Sequence, residues 1–113
     1  KYGSERHIID SITNIGRYVA NDYFHLRIMN GVIGYGLNRI GEVEQAIDAC
    51  HAALASHGIL LLGWNDTAQR APIDVRAIPA LAKFCEYYFG PLQACHYQTE
   101  GSGHHTYSFY RKA

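Results

Sequence analysis

The chain has 113 residues, of which 48% are apolar, and its ten acidic residues balance its ten basic residues. This length suits one domain with a modest core. The balanced charge leaves no electrostatic footprint for nucleic acid or an anionic membrane. No apolar run approaches the roughly 20 residues of a membrane span, and three cysteines without paired spacing favour reduced thiols in a cytoplasmic protein.

The first part of the chain predicts two short strands, each of which ends in a polar residue. Residues 6–10 predict a strand that ends on Asp10, and residues 26–30 predict a buried strand that ends on Asn30. A loop with glycines at positions 31, 34 and 36 follows the second strand. Glycines allow a close backbone approach to a ligand, and a following helix favours anionic groups. Glycines after a strand are equally common as plain turn residues.

A helix and a further buried strand come next. Residues 42–55 predict the helix, because apolar residues recur there at helical spacing: Val43, Ile47, Cys50 and Leu54. We expect Gly58 to be the glycine that follows the helix end. The apolar run at 59–63 predicts a strand buried on both faces. Because a helix connects this strand to the strand at 26–30, we expect the two strands to be parallel.

The last third predicts a helix and a closing hairpin. The helix is expected over residues 79–89, with Pro79 in its first turn and Leu81, Phe84 and Tyr88 on its inner face. Strands are expected at 92–97 and 106–111, on either side of a glycine-containing turn. These two strands should be antiparallel.

This order resembles the carboxyl-terminal two-thirds of a class I S-adenosylmethionine-dependent methyltransferase. Residues 24–32, FHLRIMNGV, are similar to the family's fourth strand and the loop after it. Residues 54–62, LASHGILLL, resemble the stretch that leads into its fifth strand, and the closing hairpin resembles its sixth and seventh strands. The resemblance implies an α/β, Rossmann-like sheet that is mostly parallel with a carboxyl-terminal antiparallel hairpin. Residues 1–113 would form a single, apparently truncated methyltransferase domain.

The sequence also departs from the family pattern. His25 stands where the family usually has an acid, and His57 stands where it usually has a second glycine. Nothing matches the family's first glycine-rich loop or the acid that ends its second strand. We therefore expect a fragment of a longer protein, which agrees with a start at Lys1 without an initiator methionine or a signal-peptide pattern. Alone, this fragment should bind S-adenosylmethionine weakly or not at all, and it should not catalyse methyl transfer.

The resemblance implies cofactor contacts at the ends of the first two predicted strands. Asp10 would accept a hydrogen bond from the adenine amino group, although an acid there can also form a turn. Asn30, Gly31 and Val32 would lie near the methionine moiety and the reacting methyl group. Asn30 can equally cap a turn.

Substrate contacts are expected from the next loops. Tyr35 would form a wall over the substrate, although an exposed loop tyrosine or a core anchor explains it as well. Trp64, Asn65 and Asp66 end the strand at 59–63, on the same rim as Asn30 if the strands are parallel. Asp66 could act as general base, or it could be a capping or turn acid. The catalytic residues stay unassigned.

Two other functions are compatible with the residues. One is a noncatalytic small α/β binding or interaction domain, in which the glycine loop is structural. The other is a zinc-binding hairpin with Cys95, His96, His104 and His105, whose spacing matches no closed zinc pattern. The expected partners are a small-molecule substrate and a second copy bound through an exposed sheet edge, but neither nucleic acid nor a membrane.

Overall fold

A computed structural model describes residues 11–31, 33, 39–66, 74–101 and 104–113. It contains one α-helix and five strands, which we number in chain order: β1 (Phe24–Asn30), α1 (Ile40–Ala53), β2 (Leu54–Asn65), β3 (Phe84–Glu86), β4 (His96–Gln98) and β5 (His105–Lys112). Short 3-10 helices connect them: Ile12–Arg17, Val75–Ala77, Pro79–Lys83 and Gly90–Leu92. The predicted strand at residues 6–10 lies outside the described residues.

The structure confirms the helix that the apolar stripe predicted, and this helix is α1. Its apolar face is buried through Val43, Ala46, Ile47, Cys50 and Ala53. The chain then passes directly into β2, and the ammonium group of Lys112 caps the helix end. This group donates to the carbonyl oxygens of His51 and Leu54, each at 2.7 Å. A cation suits the end of a helix, where carbonyl groups carry partial negative charge.

Gly58 does not follow the helix end as predicted, because it lies inside β2. Phe24 pairs with Leu54 and Leu26 pairs with Ile59, so the residues between Leu54 and Ile59 form a bulge. A side chain at Gly58 would meet the carbonyl oxygen of Ala55 at 2.8 Å. Glycine is required here by a close backbone approach.

The sheet has the order β1-β2-β5-β3, and β4 also pairs with β5. The predicted parallel pair is confirmed by β1 and β2, and the predicted antiparallel hairpin by β4 and β5. The strand β5 also pairs in antiparallel fashion with β2 and β3. Since β5 has three antiparallel partners, the described strands form a mixed sheet in which the parallel share is smaller than predicted. The α/β class is confirmed.

The prediction of a helix over residues 79–89 is wrong beyond Lys83. A 3-10 helix ends at Lys83, and Phe84 begins β3. Residues 84–89, FCEYYF, are rich in aromatic side chains, which favour extended structure. Tyr88, expected on an inner helix face, is 60% exposed. The hairpin strand β4 also begins later than predicted, since Gln93 adopts a left-handed conformation.

The core lies on one face of the sheet. There, the apolar stripe of α1 packs in one cluster with Leu60, Leu62 and Trp64 of β2 and with Ile78 and Leu81 of the following segment. On the other face, Leu26 and Ile28 of β1 stay more than half exposed. Among the described helices, none has the length and apolar character needed to cross a membrane.

Candidate functional site

The carboxyl ends of β1 and β2 lie side by side. Asn30 pairs with Gly63, and the backbone N–H of Gly31 donates to the Gly63 carbonyl at 3.0 Å. Asp66 follows β2 by one residue. The structure therefore places Asn30 and Asp66 at the same end of the sheet, as the parallel pairing predicted. We call this end the rim; it comprises Asn30, Gly31, Gly63, Asn65, Asp66 and His105.

The side chain of Asn30 folds across Gly63 and meets His105 at the start of β5. Asn30 Oδ1 lies 2.9 Å from His105 Nε2. A Cβ atom at Gly63 would overlap Asn30 Oδ1 and would lie 2.8 Å from Asn30 Cγ. The absence of a side chain at Gly63 thus permits the contact between Asn30 and His105. Three strands contribute one residue each to this arrangement.

The contact with Asn30 also decides which nitrogen of His105 carries the proton. An amide oxygen only accepts, so Nε2 of His105 donates. In the neutral imidazole, Nδ1 then keeps its lone pair. The ring is held edge-on against Tyr107, with the centroids 4.9 Å apart. His105 is therefore an oriented group that can accept a proton through Nδ1.

Asp66 lies at the same end of the sheet, and its side chain contacts Arg76. Its backbone N–H donates to the carbonyl of His104 at 3.0 Å, which joins the end of β2 to the start of β5. Its Oδ2 lies 3.5 Å from Nη1 of Arg76, and about 40% of each side chain is exposed. A long, exposed ion pair of this kind is weak. The carboxylate is accessible to a substrate, and it can act as a general base.

Trp64 is a core residue, which corrects the substrate contact predicted for it. Its side chain is 1% exposed, and its indole N–H donates to Ser108 Oγ at 3.0 Å. The Arg76 guanidinium lies 4.9 Å from the ring centroid. Strand alternation explains the difference, because Trp64 points to the α1 side and its neighbours Gly63 and Asn65 point to the opposite face.

The remaining predicted residues are placed as follows. Asn65 is half-buried and pairs with His105 across β2 and β5. Asp10, Val32 and Tyr35 lie outside the described residues. Nothing in the structure bears on the roles predicted for these three.

The rim residue that the sequence did not assign is His105. The sequence presented it only as part of a possible zinc hairpin, yet the described residues contain no group of three side chains that could hold a metal ion. His96 instead contacts Glu86 through Nε2 and Ser108 Oγ through Nδ1, the latter at 2.9 Å. His105 lies beside Asn65 because β5 pairs with β2 in antiparallel fashion, and the sequence carries no signal for this register.

The rim also includes a glycine in a left-handed conformation. Gly31 has a φ of 69°, a conformation that glycine adopts readily. Asn30 and His105 meet at this end of the sheet, and Asp66 contacts Arg76 at the same end. The described residues show no glycine-rich loop before a helix that could hold the carboxylate of the methionine moiety.

Comparisons with known proteins support this fold assignment. No family model matches the chain, and no curated protein matches it. Two solved structures of the N-methyltransferase NodS from Bradyrhizobium japonicum WM9 are similar. The complex with S-adenosyl-L-homocysteine has a TM-score of 0.68 and 17% identity, over 91% of this chain and 52% of that chain. The second structure has a TM-score of 0.63 and 19% identity, over 91% of this chain and 57% of that chain.

The match covers little more than half of NodS. At this level of identity, the likeness concerns the fold. The parallel pair of β1 and β2 and the closing antiparallel hairpin of β4 and β5 are those that the sequence predicted. This chain has the fold of the class I S-adenosylmethionine-dependent methyltransferases.

Proposed function

We propose that this chain forms the acceptor side of an S-adenosylmethionine-dependent methyltransferase, in which it acts as part of a longer protein on a small-molecule acceptor. The observation that carries the proposal is the contact of Asn30 with His105 across Gly63. It lies at the shared carboxyl end of two parallel strands, where α/β folds bind their ligands. A cytoplasmic location is part of the same proposal.

The chemistry asks little of the protein beyond positioning and proton removal. S-adenosylmethionine supplies an electrophilic methyl group, and its sulfur keeps the electrons of the broken bond as S-adenosylhomocysteine leaves. The acceptor loses a proton as its lone pair forms the new bond. Among the described rim residues, Asp66 and Nδ1 of His105 can take that proton. Alignment of the reacting atoms at the rim would supply most of the rate.

An amine is the acceptor class that we propose to test first. The similar solved structures are of an N-methyltransferase. A neutral amine becomes positively charged as it gains the methyl group, and the Asp66 carboxylate favours that charge. We place the amine within hydrogen-bond reach of Asp66, with its lone pair directed toward the methyl group.

Methyl transfer can be tested in a chimera in which the amino-terminal half of a class I methyltransferase precedes Lys1. We expect a folded chimera to release S-adenosylhomocysteine in the presence of at least one amine from a panel of small amines. The substitution Asp66→Asn should lower that rate by about 100-fold, and Asp48→Asn, whose carboxylate pairs with Lys83 away from the rim, should not change it. A folded chimera that binds S-adenosylhomocysteine but converts none of the amines would contradict the proposal.

The second candidate function is a noncatalytic binding domain. It is favoured by the apolar groove on the open face of the sheet, which is lined by Leu26, Ile59, Leu61, Tyr87, Phe89 and Phe109. An enzyme that uses only the rim does not need this groove. The same experiment separates the two functions, because the binding domain gives no S-adenosylhomocysteine with any amine.

A further inference from the structure

The apolar groove on the open face of the sheet is a concave site apart from the rim. Its volume is about 360 Å³, at the lower end of the range for small-molecule sites. The side chains that line it are all aliphatic or aromatic: Leu26, Ile59, Leu61, Tyr87, Phe89 and Phe109. Apolar surface that a ligand removes from water favours binding. The groove therefore suits the apolar part of a small molecule.

A positively charged residue lies beside this groove on the same face of the sheet. Arg111 pairs with Ile59 across β5 and β2, and it follows Phe109 by two residues along β5. The residues between them, Leu60 and Tyr110, belong to the core cluster on the opposite face. Since alternate residues of a strand share a face, Arg111 stands on the open face. It flanks the groove on the side away from the rim.

The charge of Arg111 is not balanced on this face. Arg111 is exposed and has no ion pair among the described residues. Glu86 is the one acidic residue in the five described strands, and it lies on the opposite face, where it contacts His96. A guanidinium group can hold a carboxylate through two parallel hydrogen bonds. The open face thus favours an anionic ligand over a cationic one.

We propose that the apolar groove binds a carboxylate on a short aliphatic chain, with the chain in the groove and the carboxylate paired with Arg111. The rings of Phe89 and Phe109 already stack on each other, with their centroids 4.9 Å apart. An aliphatic chain can pack beside this pair without displacing either ring. The proposal does not depend on methyl transfer, and it gives the noncatalytic binding domain a class of ligand.

An NMR titration of the full 113-residue chain tests this site with heptanoate as the probe. Heptanol and heptylamine carry the same apolar chain with no charge and with a positive charge. We expect saturable shift changes at the groove residues, with a dissociation constant for heptanoate on the order of a millimolar. Heptanol should bind about threefold more weakly, because an exposed ion pair contributes little, and heptylamine more weakly still. In about 1 M salt the preference for heptanoate should disappear.

Charge variants test the role of Arg111. Arg111→Gln removes the charge of an exposed side chain, so the chain should still fold, and heptanoate and heptanol should bind equally. Arg17→Gln removes an equally exposed arginine from the 3-10 helix before β1, and the threefold preference should remain.

Two further variants test the groove itself. Leu26 lines it, whereas Ile28 on the same strand does not, although their exposed fractions are 53% and 54%. Leu26→Ser should weaken the binding of heptanoate and heptanol alike, by about threefold, because the ligand loses apolar contact. Ile28→Ser should leave both affinities unchanged.

Four results would each overturn the proposal. The first is equal binding of heptanoate and heptanol to the unmodified chain, and the second is a preference that survives in Arg111→Gln. The third is shift changes at the groove that follow the protein concentration and not the probe, which would make a second copy of the chain the occupant. The fourth is binding to the 113-residue chain that is lost in the folded chimera, which would show that the preceding half covers the groove.

Discussion

Oδ1 of Asn30 and Nε2 of His105 lie 2.9 Å apart, although 75 residues separate them in the chain. The contact crosses β2 at Gly63, where a Cβ atom would also lie 3.1 Å from His105 Nε2. Three strands from different parts of the sequence thus depend on one glycine to assemble the rim.

Gly63→Ala should disrupt this contact. Overlap with Asn30 forces its side chain away from His105, and we expect a loss of about 1–3 kcal/mol in the free energy of unfolding, typical of a clash in a packed site. Chemical denaturation measures the loss. Gly90→Ala is the control, since the structure shows no described atom within 4 Å of a side chain added there.

A double-mutant cycle shows whether Asn30 is the cause. In the Asn30→Ala background, the clash partner is gone, and Gly63→Ala should cost clearly less than it does alone. Equal costs in both backgrounds would mean that the clash lies elsewhere.

Lys112→Met should destabilise the junction between α1 and β2. The Lys112 ammonium donates to two backbone carbonyls at the helix end, and its side chain is 12% exposed. Loss of these charge-assisted bonds should lower the free energy of unfolding by about 1–3 kcal/mol. Lys83→Met is the matched control, because its ion pair with Asp48 is about half exposed and should contribute roughly 0.5 kcal/mol or less. Thermal denaturation of the two variants checks the difference, and equal losses would contradict the capping role of Lys112.

The pH dependence of stability should carry the signature of Tyr110. Its pKa is raised by burial from 10.0 to about 12 in the folded chain, so the folded state holds this proton more tightly than the unfolded state. The resulting stability is fully present below pH 10 and is lost as the pH rises from 10 to about 12. Denaturation at several pH values should show that Tyr110→Phe flattens this decline. Tyr88→Phe should leave the decline in place, and an unchanged slope in Tyr110→Phe would refute the assignment.

Self-association should depend on β1, which is an edge strand within the described sheet. Unpaired backbone groups next to the exposed side chains of Leu26 and Ile28 favour pairing with a second copy. Sedimentation should show concentration-dependent association that Ile28→Lys weakens. Ile40→Lys changes a similarly exposed isoleucine at the start of α1 and should have no such effect. Association that persists unchanged in Ile28→Lys would exclude the β1 edge.

The sequence predicts best those parts of the fold in which apolar residues recur at a regular spacing. The apolar stripe from Val43 to Cys50 predicts α1, and the helical crossover predicts the parallel pair. The helix prediction over residues 84–89 is wrong. The spacing of their apolar residues suits a helix, but the pairing of Phe84 with Lys112 holds the start of the stretch extended. That pairing is tertiary, and the aromatic residues of the stretch are its local signal for extended structure.

The candidate site shows the same limit. Asn30 and Asp66 were predictable at one rim, because parallel strands bring their carboxyl ends together. His105 was not assigned to the rim, because its place there depends on the antiparallel register of β5 against β2. Trp64 was predicted to contact substrate, because the alternation that points it into the core cannot be read over residues 59–64, which are all apolar or glycine.

The central claim is that the rim forms only the acceptor side of an S-adenosylmethionine site. Calorimetry tests it directly, with S-adenosylmethionine titrated into the 113-residue chain and into a folded chimera that carries an amino-terminal methyltransferase half. Without the groups that hold the ribose and the methionine carboxylate, several hydrogen bonds of about 0.5–1.5 kcal/mol each are missing. The short chain should therefore bind at least about 100-fold more weakly than the chimera. Micromolar binding by the short chain alone would contradict the account.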